Sequence, residues 1–409
     1  MNGKKLLIIL AFVIFVLAMA FALYWVFFKT TPPGTDNTNY GPGVIPPGGA
    51  GNAVVITNTN TAVGNERLPI ENYFEGQVSE VANGGLTAVN KITDGAVAGV
   101  EMGPDGLMFY DANTNQFVSI NSLGEKTFLS DKKFFGISDV TWNRKGDTAV
   151  LEYPDGRNIV YNFKTDKQVT LPAELQDFSF DRNGSEIVAE WINKDGNVDN
   201  NWLITVNADG SGMQLVEPLG DQADDVAVGF SPDNQIAALY REYIDLQRQK
   251  VLPIGLEGEN FRSFEVQGAG FTSEWSPDGE SLVYSVYHES TNYLPNLWVT
   301  QGESGDIGSV RVSLNLATWP DKCTFSGSST MYCAVPRGLP RGAGLYPEIA
   351  NSYNDNFYSI NLNTGAKTMI ANPVGDAFGY SASNLFVSDD GSTLYFTDQD
   401  GNLQSMRLN

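Results

Sequence analysis

Phe271-Thr272-Ser273-Glu274-Trp275-Ser276-Pro277-Asp278-Gly279-Glu280-Ser281-Leu282-Val283-Tyr284 constrains this chain more than any other stretch. It reads as a short strand, a Ser-Pro-Asp-Gly turn and a second strand. Pro presets the first turn angle and Gly supplies a left-handed position, the chemistry of a three-residue hairpin loop. Looser copies place Met102, Trp142, Phe180, Phe230, Phe325 and Val387 at the position of Trp275, with Asn234 replacing the turn glycine after Phe230. Trp142 and Trp275 read as core residues of the repeat. The copies lie 40, 38, 50, 45, 50 and 62 residues apart, and about forty residues is one four-stranded propeller blade. Helical signal is nearly absent. The pattern predicts an all-β, seven-bladed β-propeller, because a closed ring leaves no long sheet edge exposed; six or eight blades remain open.

The last copy is one strand short. It supplies strands at Val387, at 393–397 and at 403–408, and the chain stops at Asn409. Leu86-Thr87-Ala88-Val89-Asn90-Lys91-Ile92-Thr93 has the apolar spacing to provide the missing outer strand, so residues 86–93 are expected to close the ring against Leu403–Leu408.

The Phe/Trp-Ser-Pro-Asp-Gly-x-x-Leu signature, best at 230–237 and 275–282, resembles that of the TolB-type, WD40-like propellers. The resemblance covers 85–409, the propeller part alone, without the domain that precedes it in TolB or the hydrolase domain that follows it in peptidase relatives. It implies an envelope protein that binds other proteins.

Lys4 and Lys5 precede an uncharged apolar run, Leu6 to Phe28, closed by Lys29. Twenty-three residues as helix cover about 34 Å, enough for a bilayer core of about 30 Å. An uncleaved signal anchor is expected, with a cleaved signal peptide as the rival reading because Ala18-Met19-Ala20 offers small residues. The predicted organisation is a cytoplasmic stub and transmembrane anchor at 1–29, a Pro/Gly/Asn/Thr-rich linker at 30–84 and the propeller at 85–409. The two lysines place the N-terminus in the cytoplasm and the propeller outside, periplasmic or at the cell surface. With 25 basic and 48 acidic residues, net charge -23, nucleic acid is excluded as the main partner.

Cys323 and Cys333 fall on opposite arms of one hairpin, and pairing Ser326 with Thr330 sets them directly across from each other. A disulfide is expected, with free core cysteines as the alternative, and Ser329 would hold that turn's left-handed position. The longest variable segments are 193–201, 243–250, 287–295 and 336–356. They fall on the face opposite the repeat turns, here called the upper face. There His288, Tyr293, Arg337, Arg341, Tyr346 and Glu348 are the binding candidates, Tyr and Arg being the usual interface anchors.

Catalytic signals are thin. His288 is the only histidine, no Gly-x-Ser-x-Gly elbow occurs, and 48 acids offer too many pairs to choose among. Asp195, Asn197 and Asp199 alternate oxygen ligands as a calcium loop does, but no Glu follows at position twelve. No cofactor is expected beyond that weak Ca2+ candidate. The resulting expectation is a membrane-anchored, extracytoplasmic binding or scaffold propeller of the cell envelope. It would meet an envelope or extracellular protein and attach to the membrane through residues 6–28, without enzymatic activity. The alternative is an envelope glycan- or peptide-processing enzyme, which carboxylates and an arginine converging in an upper-face pocket would favour.

Overall fold

The computed structural model describes residues 77–409, Ser122 excepted, together with Met19. Twenty-eight strands form six hydrogen-bonded sheets. β1 (Leu86–Ala88) is followed by the meander β2 (Asn90–Gly103), β3 (Gly106–Asp111), β4 (Gln116–Ile120) and β5 (Lys126–Phe128). Four-stranded sheets come next. The first is β6 (Asp139–Trp142), β7 (Thr148–Glu152), β8 (Asn158–Asn162) and β9 (Lys167–Leu171). The second is β10 (Leu175–Phe180), β11 (Glu186–Trp191), β12 (Trp202–Asn207) and β13 (Gln214–Pro218). The third is β14 (Val226–Val228), β15 (Ala238–Asp245), β16 (Arg248–Ile254) and β17 (Phe264–Gln267). The fourth is β18 (Ala269–Trp275), β19 (Ser281–Tyr287), β20 (Pro295–Gln301) and β21 (Arg311–Ser313). β22 (Cys323–Ser326), β23 (Thr330–Pro336), β24 (Asp355–Asn361) and β25 (Lys367–Val374) form a fifth sheet, to which β1 adds in parallel beside β25. β26 (Ser383–Val387), β27 (Thr393–Thr397) and β28 (Asn402–Arg407) run on into β2.

That last continuity corrects the expected ring of seven separate blades. Five sheets are self-contained, and β26-β27-β28-β2-β3-β4-β5 is a single seven-stranded sheet. The physical reason lies in β2, whose 14 residues serve two neighbours. Asn90 and Lys91 pair with Ser405 and Gln404 of β28, and Val97 to Gly103 pair with β3. A register shift between Lys91 and Ala96 separates the two halves. Residues 86–88 lie instead along Asn372–Val374. The chain joins the fold before residue 85: Ala82 N donates to Arg407 O and Gly84 N to Ile370 O.

The transmembrane helix is also corrected. Spanning a bilayer takes about 20 consecutive apolar residues, and no helix among the described residues is long and apolar enough; the helices detailed there are 3-10 turns of three to six residues. Residues 6–28 lie, Met19 apart, outside the described residues. With that helix go the single-pass topology, the cytoplasmic N-terminus and the membrane as a partner. The periplasmic or cell-surface placement, which was read from that topology, loses this basis too.

Five of the seven repeat turns share one device. A polar side chain at the first turn position accepts a hydrogen bond from the backbone N–H five residues on. These pairs are Asn143 with Thr148, Asp181 with Glu186, Ser231 with Ile236, Ser276 with Ser281 and Ser388 with Thr393. Gly146, Gly184, Asn234, Gly279 and Gly391 occupy the left-handed position of these turns. In the turn between β22 and β23 that conformation belongs to Gly327 (φ +69°) and not to the expected Ser329. A side chain there would be strained.

Between neighbouring sheets the core is aromatic. Phe117 meets Phe134, Trp142 and Phe163 edge-on at 5.2, 5.4 and 4.8 Å between ring centres. The Trp142 indole N–H donates to Gly99 O across the sheet interface. Such pairs contribute about 0.5–1.5 kcal/mol each beyond the area they bury. They keep the sheets in fixed relation, which in turn places the first strand of each blade around one central cavity.

Candidate active site

Two cavities meet along the axis. The larger, about 810 Å³, is walled by the C-terminal ends of β2, β6, β10, β18, β22 and β26 and the turns after them. Glu101, Glu274 and Asp321 face it from three sheet regions, exposed to its solvent but with protein around the channel. That enclosure raises Glu274 to about 8, helped by the negative charges of Glu101 and Asp321. Enclosure likewise raises Glu101 to about 7, against the pull of the Met102 N–H and Arg144.

The smaller cavity, about 380 Å³, opens at the N-terminal ends of β6, β10 and β14, on the upper face. Asp139, Thr141, Glu152, Asp177 and Phe178 line it with Val226–Val228, and Thr141 also lines the larger cavity. Its three acids, together with Glu190 behind them, occupy matching places in two successive repeats. Asp139 and Asp177 stand three residues before Trp142 and Phe180, and Glu152 and Glu190 ten residues after them. No other repeat carries acids at both places.

Asp177 is the distinctive member. The β10–β11 pairing shifts between Gln176 and Ser179, and within that bulge Asp177 takes a left-handed backbone, φ +54°. A non-glycine residue there costs on the order of 1 kcal/mol. Bulges of this kind re-aim a side chain, and here the result is a carboxylate on the cavity wall. Behind it, the Gln176 amide nitrogen donates to both Asp177 Oδ2 and Glu190 Oε2, each at 3.4 Å. Glu190 is only 2% exposed.

Burial sets the protonation. It raises Glu152 to about 7, and the charges of Asp139 and Asp177 push the same way. Glu190 rises to about 7 through burial and the neighbouring Asp177, with Arg241 opposing. Burial also raises Asp177. Among the described residues no ion pair neutralises any of the four acids. Arg241 is held instead by the carbonyls of Asp224, Asp225 and Phe271. A carboxyl group held toward protonation near neutrality, with further carboxyl groups beside it, is a setting in which acid–base catalysis can work. The acid-lined pocket leaves the expectation of a chain without enzymatic equipment unsupported, and the membrane-anchored scaffold lost its anchor with the helix.

The residues singled out in the sequence lie elsewhere on the upper face. His288 caps the 3-10 turn Glu289–Thr291, its Nδ1 accepting from Ser290 N at 3.1 Å. Tyr293 rests beside Tyr287, ring centres 6.5 Å apart. The 337–354 loop docks on this turn through Gly342 N to Asn292 O and Gly344 N to Tyr293 O. Arg337 donates to Asn354 O, while Arg341, Tyr346 and Glu348 are exposed. The segment 243–250, read as a loop, is the tip of the β15–β16 hairpin. Asp195, Asn197 and Asp199 are exposed in a turn where Asn193 donates to Asn197 O. No group of three potential metal ligands occurs among the described residues. Cys323 and Cys333 are register partners joined by a disulfide.

No family model matches the chain, and no curated protein matches it. Solved structures do. An oligogalacturonate lyase in complex with manganese is similar at 13% identity and a TM-score of 0.49, covering 78% of this chain and 93% of its own. The tricorn protease is similar at 12% identity and a TM-score of 0.47, over 76% of this chain and 33% of that one. Kuenenia stuttgartiensis hydrazine synthase follows at 15% identity and a TM-score of 0.45, over 64% and 74%. The likeness is one of propeller-like fold.

Proposed function

We propose that the chain is a hydrolase that cleaves a glycosidic bond by paired-carboxylate chemistry in the upper-face cavity. The observation that carries this reading is the juxtaposition of Glu152 and Asp177 on one cavity wall, with Asp177 turned there by a left-handed bulge. Glycoside cleavage needs one carboxyl group to protonate the leaving oxygen and a second to activate water or attack carbon. Glu152, raised to about 7, supplies the proton, and Asp177 is the partner. Gln176 and Glu190 position Asp177 from behind. A pocket lined by acids, in a chain of net charge -23, favours neutral or amino sugars over acidic ones.

The upper-face residues His288, Tyr293, Arg337, Arg341, Tyr346 and Glu348 extend this proposal as contacts for the remainder of a longer substrate. The finer likeness of the turn signature to TolB-type propellers belongs to the same proposal, as a statement about lineage only.

The test is release of new reducing ends from neutral and amino-sugar oligosaccharides. Glu152→Gln and Asp177→Asn should each lower turnover at least about 100-fold with melting temperature retained. Turnover indifferent to both substitutions, or no turnover on any such substrate, overturns the reading.

A further inference from the structure

Behind the wall of the larger cavity, a lysine and an aspartate are sealed inside the protein. Lys322, at the end of the 3-10 turn Pro320–Lys322, is 3% exposed, and Asp355, opening β24, is fully buried. Lys322 Nζ lies 3.0 Å from Asp355 Oδ2 and donates to Ala382 O. The same Oδ2 accepts from Ala382 N at 2.6 Å. Among the described residues Asp355 Oδ1 has no hydrogen-bond partner.

As an ion pair this arrangement is costly. Desolvating two charges takes several kcal/mol per ion, recovered only when every lone pair finds a donor, and Oδ1 finds none. Burial raises Asp355 to about 6 against the pull of Lys322, so the carboxylic acid lies within reach. An unpartnered oxygen is what a departing hydroxyl needs, whereas the oxygen that stays is already gripped by a backbone N–H.

We propose that Lys322 and Asp355 condense to an intramolecular isopeptide bond. The ammonium first passes a proton to Oδ2, the oxygen it contacts, and a half-turn about Cβ–Cγ exchanges the two oxygens so that the protonated one takes the unpartnered Oδ1 place, leaving a neutral amine and a neutral acid. The Nζ lone pair then attacks Cγ, and the Ala382 N–H stabilises the negative charge that builds on Oδ2. Oδ1 leaves as water, carrying the acid proton and one proton from Nζ, as the Nζ–Cγ amide forms. No oxidant, reductant or other co-reactant enters. Held 3.0 Å apart, the reactants gain the effective concentration that makes such a step feasible without an external catalyst. The product removes both charges from the interior and ties the entry of β22 to β24, beside the Cys323–Cys333 bridge.

The test is mass spectrometry of the full chain, denatured, reduced and digested with trypsin. A bonded Lys322 resists cleavage, so a branched peptide joining Lys322 to Asp355, one water lighter than its two linear parts, is the expected result. Linear peptides carrying free Lys322 and free Asp355 overturn the proposal. Lys322→Arg and Asp355→Ala should abolish the branched peptide. Because the wild-type digest alone decides the matter, misfolding of either variant does not obscure the outcome.

Discussion

Asp139 sits directly opposite Glu152 across the β6–β7 pair, two acids facing one another where like charges repel. Directly opposed charges of one sign destabilise a strand pair, and the protein tolerates this pair by letting Glu152 hold its proton up to about 7.

Stability should therefore respond to pH in an unusual direction. Glu152 and Glu190 rise from 4.5 to about 7 in the folded chain, and Glu274 to about 8. Between those limits the native state binds more protons than the unfolded one, so stability falls as pH climbs. The stabilisation is whole below about pH 4.5 and gone above about pH 8. Calorimetry across this range should find a higher melting temperature near pH 5 than near pH 8, and Glu190→Gln should flatten the slope. A melting temperature that climbs steadily toward pH 8 would contradict the assignment.

Asp177→Gly should separate function from stability. Glycine removes the left-handed penalty at φ +54°, about 1 kcal/mol, along with the carboxylate. We expect an unchanged or higher melting temperature and a loss of glycoside turnover of about 100-fold or more. Lost stability in Asp177→Gly would mean the carboxylate holds the bulge and is not strained by it.

Thr93→Val probes the join between the two ends of the domain. Leu403 N donates to the buried Thr93 Oγ1 at 3.0 Å, and valine leaves that N–H without a partner. The expected cost is about 1–3 kcal/mol, read as a lower urea midpoint with an unchanged m-value. A midpoint equal to wild type would show that the join does not depend on this bond.

Reducing the Cys323–Cys333 bond opens a loop with a sequence separation of 10. A loop of that length corresponds to about 2–3 kcal/mol of unfolded-state entropy. The Cys323→Ser/Cys333→Ser double variant should melt lower by that equivalent, and adding reductant should not shift it further. A reductant-sensitive double variant would point to a different origin for the effect.

The hairpins were open to reading because each turn demands particular chemistry at fixed offsets. Gly279, Gly391 and Asn234 sit where only a left-handed residue fits, with Ser276, Ser388 and Ser231 capping the strand that follows. Blade separateness was hidden, since nothing local announces that β2 continues through a register shift into a second sheet. The candidate site was hidden for another reason. Glu152 and Asp177 look like any of 48 acids until the repeats are aligned on Trp142 and Phe180; only then do the recurring acids three before and ten after stand out. The bulge at Asp177 leaves no such trace, because an aspartate with positive φ is set by the neighbouring strand's register and not by its own flanking residues. His288 and Tyr346 attracted notice through rarity and loop position, properties that say little about where carboxylates converge.

Ser405 reaches the ribosome exit 315 residues after Asn90, its partner in the sheet. Throughout that interval the early edge of β2 hangs open to any strand that drifts past, its own or a neighbouring nascent chain's. Synthesis of this chain is thus a race between its own completion and mispairing, in which slow elongation near the end of the message does harm and a chaperone covering that edge does good.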